Sequence, residues 1–181
     1  MIQLYKYIKE SLLDDEDVLM NDTSEEVIKE VVKKFLKKNY INGSKCKISK
    51  NPINGKYIVD YNGNLEVKNK NITSLTNEYF ELGVIGRVFD CSFCNSLKSL
   101  KGAPKEVGGS FYCYGCSLLT SLEGAPEKVD GDFNCEWCDS LTSLEGAPKK
   151  IGRDFYCYEC KTKFTEEDVR NVSNVGGNIE V

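Results

Sequence analysis

Apolar residues recur along the second half of the chain with a fixed period. Taking Phe89 as position zero, Phe111, Phe133 and Phe155 follow at intervals of 22 residues, and each unit repeats the same set of apolar positions. Cysteine falls at +2 (Cys91, Cys113, Cys135, Cys157) and +5 (Cys94, Cys116, Cys138, Cys160). Leucine follows at +8 (Leu97, Leu119, Leu141) and +11 (Leu100, Leu122, Leu144), then Gly-Ala-Pro, then Val107, Val129 or Ile151 at +18. The same hexapeptide is thus written three times, as "SLKGAP" at 99–104 and "SLEGAP" at 121–126 and 143–148. One coil of this kind cannot cover its own apolar side chains. Stacked coils can, and a fixed period of about 20–29 residues with closely spaced apolar positions predicts a solenoid.

The spacing within a unit predicts its geometry. Positions zero and +2 share one face of a short strand, so Phe and the first Cys point inward while +1 and +3 point out. The second Cys enters a turn, and the two leucines return along the opposite wall. Gly-Ala-Pro closes the coil, with Gly supplying backbone freedom and Pro a fixed φ. The phenylalanines should form a column at the strand spacing of about 4.8 Å, each buried Phe or Leu contributing about 1.5–3 kcal/mol.

Both ends of the array depart from the period. Upstream, Leu65, Val67, Ile72 and Leu75 repeat the theme 24 residues before Phe89. "KCKIS" at 45–49, the turn "NPING" and "KYIVDYNGNLEV" read as a small antiparallel meander, with Asn62-Gly63 as a two-residue hairpin turn and the last strand doubling as the first rung. Cys46 on the first of these strands reads as a core thiol. Downstream, Thr165 and Asp168 form the cap of a short helix. "VGGNIEV" matches "VGGSFYC", placing Ile179 and Val181 in a last strand. Residues 24–39 put Val27, Val31 and Phe35 with Ile28, Val32 and Leu36 on one stripe, an amphipathic helix. A weaker helix over 2–13 runs through Leu4, Ile8 and Leu12, and "DDED" at 14–17 ends it because carboxylates oppose the dipole there. The expected fold is α+β: a helical segment over 1–44, a β-meander cap over 45–64, and a solenoid over 65–181.

The pattern Phe-x-Cys-x-x-Cys-x-x-Leu-x-x-Leu resembles the leucine-rich repeat core, with cysteine where that family carries its Asn or Cys ladder. The "LTSLEGAP" unit, with "DF.C..C" before it, is similar to repeat proteins encoded by tailed phages, and "SLLDDEDVLM" resembles an N-terminal segment of such proteins. The resemblance covers residues 53–181 and, more loosely, the first twenty. It implies a right-handed, curved, leucine-rich-repeat-like solenoid, with a parallel β ladder and irregular return segments. It also implies a phage origin, hence a place in the host-cell cytoplasm or the virion. It implies little about activity.

Composition narrows the function classes. The net charge of −4 lacks the basic excess that phosphate binding needs, so nucleic acid is not an expected partner. Residues 1–30, with nine acids and three lysines, are the acidic part of the chain, and the remainder is slightly positive. No apolar run approaches the length of a membrane helix, and the N-terminus lacks a signal-peptide core, so neither membrane insertion nor export is expected. Histidine is absent, which removes Ser-His and Cys-His nucleophile pairs and imidazole zinc sites. Neither a nucleophile with its base nor a phosphate loop is visible, and the expected class is a non-enzyme without cofactor.

The nine cysteines admit two readings. Each CxxC pair either fills inward positions and a hydrogen-bonding ladder, or adjacent coils supply zinc sites from Cys91, Cys94, Cys113 and Cys116 and from Cys135, Cys138, Cys157 and Cys160. A thioredoxin-like role lacks its βαβ context. The "DDED" run has no surrounding calcium loop and reads as a solvated linker, while residues 1–20 form an alternative docking segment.

The outward positions carry the functional hint. At +1 and +3 stand Asp90 and Ser92, Tyr112 and Tyr114, Asn134 and Glu136, Tyr156 and Tyr158, with Phe93 and Trp137 at +4. Asp90, Tyr112, Tyr114, Asn134, Glu136, Trp137, Tyr156 and Tyr158 are therefore the expected surface for a protein partner, since tyrosines bury much area at little entropic cost. Two other readings stand beside it: rings that merely pack across coils, and a carbohydrate-binding face on which the tyrosines and Trp137 stack.

Overall fold

Every full unit of the array makes one coil, and each coil contributes two short strands. The computed structural model describes residues 2–3, 46–67, 71–76 and 80–181, and within them the chain winds as a β-solenoid of stacked parallel strands. The strands are β1 (Ile2–Gln3), β2 (Cys46–Lys50), β3 (Tyr57–Tyr61), β4 (Leu65–Glu66), β5 (Ile72–Ser74), β6 (Phe80–Ile85), β7 (Phe89–Asp90), β8 (Glu106–Val107) and β9 (Phe111–Tyr112). They continue with β10 (Lys128–Val129), β11 (Phe133–Asn134), β12 (Lys150–Ile151), β13 (Phe155–Tyr156), β14 (Asn174–Val175) and β15 (Ile179–Glu180). The helix α1 (Glu166–Val172) precedes β14.

A six-stranded sheet, in the order β15-β13-β11-β9-β7-β4, stacks the phenylalanine strands in parallel, Phe89 against Phe111, Phe133 against Phe111, and Phe155 against Phe133. A seven-stranded sheet, β14-β12-β10-β8-β6-β3-β2, stacks the Val and Ile strands. The single ladder with irregular returns expected from the repeat is thus two ladders. Val107, Val129 and Ile151 at +18 belong to strands of their own, because the same 22-residue advance that aligns the phenylalanines aligns them.

The core is a set of columns, one per repeat position. The four Phe rings are fully buried and stacked, with centroids 5.3, 5.3 and 5.6 Å apart. Both thiols and both leucines of the complete coils lie beside them, buried. The second Cys of each coil donates to a carbonyl one coil back: Cys116 to Cys91 O (3.3 Å), Cys138 to Cys113 O (3.4 Å) and Cys160 to Cys135 O (3.2 Å). Burial pushes the Cys94 and Cys135 thiols up to about 12. At the Gly-Ala-Pro corners Ala103, Ala125 and Ala147 donate to Leu100, Leu122 and Leu144, closing turns whose third residue has φ of +91°, +89° and +83° at Gly102, Gly124 and Gly146. A type II turn requires such a φ. A Cβ at any of the three would also meet the backbone of the preceding coil.

A ladder of polar side chains, invisible in the repeat's apolar spacing, runs at position −1. Asn64 Oδ1 accepts from Val88 N (3.2 Å), Ser110 Oγ from Asp132 N (3.1 Å), Asp132 Oδ1 from Asp154 N (3.3 Å), and Asp154 Oδ1 from Asn178 N (2.7 Å). Short polar side chains here satisfy corner amides that would otherwise lack partners.

The ends correct two expectations. Asn62-Gly63 is not a hairpin turn: β3 pairs antiparallel only with β2 and parallel with β6, while β4 opens the other sheet against β7. Leu65 is drawn into the phenylalanine register, so the dipeptide becomes a corner between sheets. The predicted three-stranded meander is therefore a two-stranded hairpin. Residues 2–3 form a strand in parallel with β5, Ile2 beside Ile72, instead of the first turn of a helix; β5 offers open backbone groups that a partner strand satisfies. The rest of that predicted helix, the "DDED" run and the helix over 24–39 lie outside the described residues. At the other end α1 begins where its cap residues place it, with Asp168 N donating to Thr165 Oγ1 (3.2 Å) and Thr165 N to Asp168 Oδ2 (2.8 Å). It buries Val169 against the last coil. No helix among the described residues is long and apolar enough to cross a membrane.

Candidate functional site

Beyond each phenylalanine strand the backbone continues to bond coil to coil. Phe93 N donates to Tyr114 O (2.9 Å), Gly115 N to Glu136 O (2.8 Å) and Trp137 N to Tyr158 O (3.2 Å). This registers the +3 and +4 positions across coils. It also holds +4 in the left-handed region, with φ of 57° at Phe93, 68° at Gly115, 52° at Trp137 and 53° at Glu159. For a residue with a Cβ that conformation costs about 1–2 kcal/mol. Only the second coil meets the requirement with glycine. The occurrence of Gly115 in register with Phe93, Trp137 and Glu159 was the available sequence signal for this backbone.

The rings at these positions form one continuous row. Phe93 meets Tyr114 edge to face with centroids 5.0 Å apart, Tyr114 meets Trp137 at 6.4 Å, and Trp137 meets Tyr158 at 6.3 Å, with interplanar angles of 80°, 78° and 87°. Tyr112 joins from the strand at 6.4 Å from Tyr114. The row alternates between +4 and +3 from coil to coil, which lets each coil place one large ring within the narrow spacing of a parallel ladder. The Phe93 ring covers Gly115, where a Cβ would stand 2.6 Å from its Cδ1. Phe93, Trp137 and Tyr158 remain 44%, 48% and 36% exposed.

The other predicted site residues are placed differently. Glu136, expected to point into solvent, is only 6% exposed, and it stands at +3 between Tyr114 and Tyr158 of the adjacent coils. Its carboxylate accepts from Asn134 Nδ2 (2.6 Å), and its own N–H donates to Asn134 Oδ1 (3.0 Å). The Glu136 carboxylate, together with burial, pushes the Tyr158 phenol up to about 12. Asp90 accepts from Ser92 N (2.9 Å), fastening the turn of the first coil as Asn134 fastens that of the third. Tyr156 turns to Asp154, donating to Oδ2 at 3.2 Å. The structure thus brings together Tyr112, Tyr114, Trp137 and Tyr158, adds Phe93, sets Glu136 at +3 between the coils of Tyr114 and Tyr158, and leaves Asp90, Asn134 and Tyr156 as supports.

The thiols are poor candidates for chemistry. Every cysteine with a resolved shift is pushed up, by burial or by bonds to other thiols, whereas nucleophilic and metal-binding cysteines work as thiolates. Cys157 and Cys160 approach to 3.5 Å in the last coil. Among the described residues, no group of three or more Cys, Asp or Glu is arranged to hold a metal ion.

No known protein family, curated protein or solved structure matches the chain. Fold and site by themselves define a two-sheeted β-solenoid with an exposed, ordered aromatic row.

Proposed function

We propose that this protein is a non-catalytic, leucine-rich-repeat-like interaction scaffold, encoded by a phage, that binds a host or virion protein through its aromatic row. The host-cell cytoplasm or the virion is its place of action. One observation carries the reading. Rings from four successive coils are held edge to face in the open, two of them on left-handed backbone that costs folding energy. Strain of this kind persists where the surrounding structure over-determines it, and it clusters at functional positions. Tyrosine and tryptophan anchors of fixed orientation lose little entropy on binding. The raised thiols and the absent histidine fit a scaffold better than an enzyme.

The test compares two baits. Wild type and a variant with Tyr112, Tyr114, Trp137 and Tyr158 changed to Ala are used to recover proteins from host lysate and from virions, with circular dichroism confirming that both are folded. The variant is expected to lose at least one protein that wild type retains. Equal recovery by both baits overturns the proposal.

A further inference from the structure

Beside Trp137 of the aromatic row stands a carboxylate, Glu136, that forms no ion pair among the described residues. Glu136 is nearly buried, and its hydrogen-bond partner is Asn134, whose amide is neutral. The ion pairs among the described residues lie elsewhere, at Lys101 with Glu123, Lys105 with Glu81, Lys128 with Asp130, Arg153 with Asp132 and Arg170 with Glu166. A charge withdrawn from water is costly unless a partner compensates it. The exposed ring faces of the row add their own negative potential, because an aromatic quadrupole is negative above and below the ring. Asp154 and Glu180 extend the field along the same side, each raising the Tyr156 phenol.

We infer that the partner segment received by the row is basic, a lysine- or arginine-rich stretch whose cationic group lies on the Trp137 and Tyr114 rings beside the Glu136 carboxylate. The inference rests on the binding role proposed above and names the chemistry of the partner. A cation placed there meets two ring faces at once and supplies the charge that Glu136 lacks. The carboxylate need not be touched, since in a partly dry setting it acts through its field. A neutral ligand stacked on the same rings leaves that charge uncompensated.

Trp137 is the only tryptophan in the chain, so its fluorescence reports occupancy of this site directly. The protein is titrated with octa-arginine, with octa-glutamate and a Gly-Ser octapeptide of equal length, and with a neutral hexasaccharide. Octa-arginine is expected to change the Trp137 emission saturably. The other three are expected to leave it unchanged. Binding should weaken steadily as sodium chloride rises through screening. Glu136→Gln should weaken it about tenfold. Glu145→Gln, on a Gly-Ala-Pro corner, should bind as wild type. Should Glu136→Gln disturb the fold, the salt dependence of the wild type decides alone, because a neutral contact does not respond to screening. Saturable binding of the hexasaccharide or the Gly-Ser peptide overturns the inference, as does octa-arginine binding that ignores salt or the loss of Glu136. If Glu136→Gln retains a partner that the four-alanine variant loses, the row is the binding face and its cationic occupant is wrong. If the four-alanine variant also retains every partner, the binding role itself has failed.

Discussion

Trp137 and Glu159 occupy the same left-handed backbone position, yet only Trp137 gives a ring to the row. That difference separates strain from function. Glu159→Gly removes the Cβ conflict without touching a ring, and it is expected to stabilise the fold by about 0.5–1 kcal/mol in urea unfolding, the relief being partly offset by the greater freedom of glycine in the unfolded chain. Glu159→Val should destabilise it, because a β-branched side chain tolerates that φ least. Matched stabilities for the two variants would mean that the position is relaxed. A second residue-scale expectation concerns Tyr158. The Glu136 carboxylate beside it favours the neutral phenol, so ionisation waits until about pH 12, above the ordinary value of 10.0. In Glu136→Gln the charge is gone, and the tyrosinate absorbance of this one residue should move down toward 10.0. An alkaline titration of wild type against this variant, with Tyr158→Phe identifying the signal, checks the geometry at Glu136.

At the scale of one coil, thiols take the place that a longer polar side chain would fill. A cysteine is small and apolar enough for a column beside Phe and Leu, and its S–H still reaches the carbonyl of the coil before it. The consequence is a pH dependence of definite sign. Folded Cys94 and Cys135 keep their protons up to about 12, while in the unfolded chain they lose them near the ordinary value of 9.0. The unfolded state therefore binds fewer protons above that pH, and stability falls as pH rises. The contribution is fully present below about pH 8.5, and each such thiol loses up to about 1.4 kcal/mol per pH unit above it. Urea midpoints measured under reducing conditions should stay level from about pH 7 to 8 and drop by more than one proton's worth between about pH 9 and 10. A level midpoint across that upper interval would show that the thiols are open to water.

For the molecule as a whole, legibility follows from whether a feature depends on one coil or on its neighbours. The period, the inward Phe, Cys and Leu positions, the Gly-Ala-Pro corners and the Thr165 cap were all readable, because each rests on spacing within a unit and on local backbone preference. Val107, Val129 and Ile151 were recognised as a recurring apolar position but not as a second ladder, since two-residue strands exist only by pairing with the coils on either side. Asn62-Gly63 misled for the same reason: its local preference for a hairpin lost to the registry of Leu65 with Phe89. Glu136 looked exposed because alternation along a strand says which face a side chain takes. It does not say how deeply the rings of adjacent coils cover that face. The sequence alone determined that the chain repeats, which side chains enter the core and which residues close each coil, because those are short-range consequences of residue type and spacing. The tertiary structure alone decided the division into two sheets, the left-handed seats of Phe93 and Trp137, and the burial of the Glu136 carboxylate, because each arises only when one coil is stacked on the next.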